Sequence, residues 1–89
     1  MSSTSISGYR STDESDIAFL TVIREQDGAE QTLYASARVS KSRNTGRLRA
    51  MLSQWETPEG EYVEDARLRK QASTWLRSHW NDLAVGTSG

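Results

Sequence analysis

Residues 64–84, EDARLRKQASTWLRSHWNDLA, carry the pattern that most restricts what this chain can fold into. At about 100° per residue, Leu68, Ala72, Trp75, Leu76, His79 and Leu83 fall on one side of a helix. Lys70, Thr74, Arg77, Ser78 and Asn81 fall on the other. A helix with one apolar stripe needs a second layer to cover it, and the preceding residues must supply that layer. Glu64 and Asp65 stand where the positive end of the helix dipole favours acids. Gly86, just beyond Leu83, suits the positive φ common at a helix C-terminus.

The preceding residues read as strands. Residues 17–24, IAFLTVIR, form a short run rich in β-branched and aromatic side chains. Asp27-Gly28 is a hairpin pair, because both central positions of a type I′ turn need positive φ. Residues 32–40 then alternate, with Leu33, Ala35, Ala37 and Val39 on one face and Tyr34, Ser36, Arg38 and Ser40 on the other. Residues 47–56, RLRAMLSQWE, fit a helix through Leu48, Met51, Leu52 and Trp55, or a strand with Leu48, Ala50 and Leu52 on one face. Register favours the strand. A turn at Asn44-Thr45-Gly46 sets Ala37 opposite Leu52, Val39 opposite Ala50 and Tyr34 opposite Trp55. A turn at Asp27-Gly28 sets Val22 opposite Leu33, Leu20 opposite Ala35 and Ala18 opposite Ala37, so all three strands share one apolar face. Thr57-Pro58-Glu59-Gly60 has Pro and Gly where a type I turn prefers them, and Tyr62 and Val63 are placed to pair back onto Trp55.

The expected fold is therefore α+β: a small antiparallel meander of about three strands with one long C-terminal amphipathic helix on one face. Residues 1–15 read as a flexible arm, since residues 1–16 hold six serines and two threonines and little that is apolar beyond Ile6 and Tyr9. Residues 16–85 form a single domain and 86–89 a flexible tail. A chain of 89 residues has room for one thin core. No cysteine is present, so neither a disulfide nor a thiolate metal site is expected. No apolar run approaches the ~18 residues a membrane span requires. A cytoplasmic protein without a membrane role is expected.

Five cations, Arg38, Lys41, Arg43, Arg47 and Arg49, occur between residues 38 and 49 with no acid among them. On the meander, Arg38, Arg47 and Arg49 lie on the sheet face away from the helix with Tyr34, Ser36, Ser40, Ser53 and Trp55, while Lys41 and Arg43 mark the turn. Guanidinium groups fork onto phosphates or guanine edges, hydroxyls add phosphate contacts, and an aromatic offers a stacking surface. The same residues also fit a merely solvated face. The net charge of −1 opposes indiscriminate polyanion binding. Trp75 belongs to the core stripe and Trp80 to its edge. Phe19, Tyr34, Met51, Trp55 and Tyr62 could instead make a second cluster on the back of the sheet.

His79 is the only histidine and falls on the apolar stripe, so it reads as a packed side chain with a satisfied ring nitrogen. Glu56, Glu59, Glu61, Glu64 and Asp65 suit turn and cap chemistry rather than a metal site. No phosphate loop, nucleophile elbow or metal-ligand spacing is present, so catalysis, a cofactor and a small-molecule substrate are not expected. Three antiparallel strands followed by a helix resemble, in architecture, small DNA-binding domains that read DNA with the sheet, integrase-arm domains among them. No motif is shared, and no residue role carries over. Two functions are expected. One is a small regulatory nucleic-acid-binding protein using Arg38, Lys41, Arg43, Arg47, Arg49 and Trp55. The other is a protein-binding adaptor or inhibitor using the same aromatic and arginine anchors or the acidic segment 56–65.

Overall fold

A computed structural model describes residues 3–86. The chain is α+β, with a largely antiparallel sheet followed by one helix that packs on a single face. The strands are β1 (Ser3–Ser11), β2 (Ile17–Gln26), β3 (Ala29–Lys41), β4 (Leu48–Leu52), β5 (Trp55–Glu56), β6 (Tyr62–Val63) and β7 (Val85–Gly86). Helix α1 spans Ala66–His79 and tightens into a 3-10 turn over Trp80–Asp82. The spatial order is β6-β5-β3-β2-β1-β7, with β4 also paired to β3.

The hairpin registers are those the apolar pattern requires. Asp27 and Gly28 both take positive φ, and Val22 faces Leu33, Leu20 faces Ala35 and Ala18 faces Ala37. Within residues 47–56 the chain is extended in two strands, β4 and β5, with Ala37 opposite Leu52 and Val39 opposite Ala50. The turn after Thr57 closes with Gly60 N–H donating to Thr57 O at 2.9 Å, and Val63 pairs back onto Trp55. Ala18, Leu20, Val22, Leu33, Ala35, Ala37 and Val39 are buried beneath Leu68, Ala72 and Leu76 of α1. The small alanines let the helix approach closely.

Three expectations change. Residues 3–11, read as part of an arm, form β1, paired along β2 from Ser3↔Glu25 to Arg10↔Ala18. β2 is the reason. It carries apolar side chains on both faces, and an uncovered ladder edge beside it would leave its backbone groups to water or to another chain. Serine-rich composition disguises β1 because its anchors are backbone hydrogen bonds, Ile6, and a close approach at Gly8. A Cβ on Gly8 would stand 2.8 Å from Leu20 Cδ2, 2.9 Å from Phe19 O and 3.5 Å from the Trp75 ring. The meander also gains strands, seven in place of three. Gly86 does not cap α1; it pairs with Ser11 in the parallel β7–β1 contact, where Arg10 N–H donates to Ala84 O at 2.9 Å. The remainder of the tail, and residues 1 and 2 of the arm, lie outside the described residues.

The helix contact line also departs from the expected stripe. The buried residues are Leu68, Ala72, Leu76 and then Trp80, an i, i+4 row inclined to the helix axis, as a helix crossing a twisted sheet requires. Trp75 is half-buried above Gly8, and His79 is exposed at the helix end. The His79 ring stacks on Trp75 with centroids 4.6 Å apart, and its Nδ1 lies 2.8 Å from Trp75 O. Arg10 closes this corner, its guanidinium carbon 4.3 Å from the centroid of the Trp80 ring.

Asp65 starts the helix. Its Oδ1 accepts from Leu68 N–H at 3.0 Å, and its Oδ2 receives Arg24 Nη1 at 2.6 Å, while Arg24 Nε donates to Gln31. The Leu68 amide first, then Arg24, hold the Asp65 carboxyl below its usual range. A lowered carboxylate pKa adds stability above the unfolded value near 4 and loses it as pH falls through the folded value. Asp65→Ala is therefore expected to cost about 1–2 kcal/mol at pH 7. In urea titrations the gap from the parent should narrow below about pH 4; a constant gap would remove the ionised carboxylate from the account. Gly8→Ala should cost about 1–3 kcal/mol by overpacking, read as a lower urea midpoint at unchanged slope.

Candidate nucleic-acid interface

Helix α1 covers one face of the sheet, and the opposite face is open. Alternation sends Phe19, Thr21, Ile23 and Glu25 of β2 and Glu30, Thr32, Tyr34, Ser36, Arg38 and Ser40 of β3 to this outer face. β1 adds Ser5, Ser7 and Tyr9, β4 adds Arg49 and Met51, and β5 and β6 add Glu56 and Tyr62. Six of the exposed large apolar side chains lie here: Tyr9, Phe19, Ile23, Tyr34, Met51 and Tyr62. Tyr9 and Phe19 are cross-strand neighbours with ring centroids 5.4 Å apart.

The outer face is zoned along the strands. On β3 it runs Glu30, Thr32, Tyr34, Ser36, Arg38, Ser40, from acid through aromatic to base. β2 carries Glu25 at the acidic side, and Glu56 of β5 sits opposite Tyr34, while Arg49 of β4 lies at the basic side opposite Ser40. A shallow depression between Tyr9, Phe19, Tyr34, Gln54 and Tyr62 occupies the middle.

Of the residues singled out in the sequence, Arg38 and Arg49 share this face. Lys41 ends β3, and Arg43 and Arg47 lie in the connecting loop, closed by Ser42 N–H donating to Arg47 O at 2.9 Å. All five cations are exposed. Arg38 Nε lies 3.4 Å from Asp16 Oδ2, with both side chains half or more exposed. Such a pair is worth little in water and yields readily to a phosphate.

Trp55 does not lie on this face. Tyr34 faces Glu56 rather than Trp55, because one extra residue enters the chain after Leu52. Ser53 N–H donates to Ser36 O at 2.8 Å, and Ser53 Oγ accepts from Ser36 N–H at 2.9 Å, so the hydroxyl replaces a ladder carbonyl and the strand bulges. The bulge turns Trp55 to the helix side, where it is fully buried. The second cluster expected on the back of the sheet thus lacks Trp55, and its other members are exposed.

Tyr9 is the exposed aromatic of this face that the sequence pattern does not place there, whereas Phe19 lies on the back of the sheet as the alternation requires. Tyr9 lay within the supposed arm, and its one signal was the alternation of Ile6, Gly8 and Arg10 against Ser5, Ser7 and Tyr9. A second group of cations, Arg69, Lys70 and Arg77, borders β4 on the helix side. Arg69 Nη1 there donates to Leu52 O at 3.2 Å. Among the described residues no three His, Asp or Glu side chains converge as a metal site needs, and no helix is long and apolar enough to cross a membrane.

Comparison with protein-family models, with curated proteins and with solved structures finds no match for this chain. The α+β architecture therefore stands on the chain's own residues. Because Trp55 is core, Trp55→Ala should destabilise the domain by about 3–5 kcal/mol. A Trp55→Ala chain that unfolds in urea with the parent midpoint would return Trp55 to the surface.

Proposed function

We propose that the protein is a small, non-enzymatic nucleic-acid-binding protein, regulatory in role, that uses the open face of its sheet. The observation that carries this reading is the placing of Arg38 and Arg49, with the cationic loop 41–47, beside an aromatic surface on the same face. Exposed guanidinium groups supply the phosphate contacts, serine and threonine hydroxyls add donors, and aromatic rings accept bases. Between Glu30 and Glu56 the sequence contains no acid, so cations outnumber acids along β3 and β4, although Asp16 ahead of β2 pairs with Arg38.

A second reading is favoured by one specific feature. β4 pairs only with β3 among the described residues, which leaves an open edge onto which a partner protein's strand could add. An adaptor or inhibitor of that kind would bind with weak dependence on salt.

Titration of labelled oligonucleotides at several salt concentrations separates the two. Binding should be saturable, and Arg38→Ala/Arg49→Ala should weaken it and flatten the slope of log affinity against log salt by about 1.5, the value of two lost phosphate contacts. Oligonucleotide binding by the double variant equal to the parent's, with its fold intact by circular dichroism, would refute the proposal. Absence of binding even at low salt would favour the adaptor.

A further inference from the structure

The zoning of the outer face bears on which form of nucleic acid it fits. Building on the proposed function, we infer that the ligand is an unpaired polynucleotide whose bases stack on Phe19 and Tyr34 while its phosphates follow Arg38 and Arg49. Cations occupy one end of the face only. Glu25 and Glu30 occupy the other, with the aromatic zone between, and Glu56 flanks that zone beside Tyr34. A single strand carries its phosphates along one side and can present its bases to the other, so it meets the cations, displaces the exposed Asp16 from Arg38 and keeps clear of Glu25 and Glu30. A duplex has two backbones, and seating one on Arg38 and Arg49 brings the other towards the acidic end.

Size gives the same answer. β1, β2, β3 and the β4/β5 segment lie abreast, which places the outermost strand axes about 14 Å apart at the usual ladder spacing. A major groove about 12 Å wide admits a helix or a two-stranded ribbon, not a face of this breadth. The resemblance to three-stranded DNA readers therefore does not extend to their mode of docking. Along the strands, Ser36, which faces Phe19, is two residues from Arg38, a separation of about 7 Å that matches the reach from a phosphate to its own base. The rings are available: Phe19 is 40% exposed and Tyr34 44%.

The test uses the full chain with fluorescein-labelled oligothymidylate and oligouridylate of about twenty nucleotides (about five OB-fold-sized minimal sites) and a mixed-sequence duplex of equal length. Both single strands, or one if the 2′-hydroxyl matters, should bind at least about tenfold more tightly than the duplex. Phe19→Leu/Tyr34→Leu keeps apolar bulk but removes the stacking faces. It should lower single-strand affinity by roughly tenfold or more without changing the salt slope. Phe19→Trp should bind at least as well as the parent. Duplex binding as tight as single-strand binding, or an unaltered affinity in the leucine variant, would overturn the inference while leaving the broader reading in place. No binding to any of the three ligands would remove both.

Discussion

The structure depends on a single-residue shift at Ser53. Up to Leu52, β4 follows the ladder set by Ala37 and Val39; beyond it, the bulge moves every following side chain to the opposite face. Without that shift Trp55 would stand in solvent, and the core beneath α1 would lack its largest side chain. The shift has a cost. The indole N–H of Trp55 is buried with no acceptor among the described residues, which typically loses about 1–3 kcal/mol. Burial of so large a ring outweighs that loss, since removing an aromatic side chain from a core commonly costs about 3–5 kcal/mol.

The bulge also marks the boundary of what the sequence could disclose. The β2–β3 and β3–β4 registers were legible because a two-residue period ties each pairing to the face it buries, and because Asp27-Gly28 identifies its turn. The bulge was not legible, since alternation assumes that no residue is inserted and Ser53 resembles any surface serine until its hydroxyl is seen accepting from Ser36. β1 was hidden for a different reason. Its side chains bury little apolar area, so its stability rests on backbone pairing and on the absence of a Cβ at Gly8. The helical stripe was found from Leu68, Ala72 and Leu76, but the wheel assigned His79 to the core in place of Trp80. A wheel treats the helix as parallel to its support, whereas contact here follows an inclined row.

The outer face was legible in its cations and in Phe19, Tyr34, Met51 and Tyr62, which the alternation put on the back of the sheet, but not in Tyr9 or in the loss of Trp55. Five positive charges without an acid are visible in one dimension. Their relation to Tyr9 and Phe19 needs β1 and β2 in place. With the bulge removing Trp55 and β1 contributing Tyr9 beside Phe19, the outer face runs along β3 from acid through aromatic to base. That gradient, rather than the net charge of the chain, is what the proposed function relies on to orient a charged polymer.

The pairing of β7 with β1 has a consequence for how the chain gains its shape. Almost the whole sequence separates Arg10 from Val85, whereas the β2–β3 hairpin closes around two residues. The entropy of closing a loop rises with its length, and early contacts in small domains tend to be those that span the least chain. Two short rungs, one Arg10 amide bond and the Arg10–Trp80 contact must offset the longest closure in the molecule. The corner that seals the sheet thus sets few contacts against a long closure, and it derives its permanence from everything assembled before it.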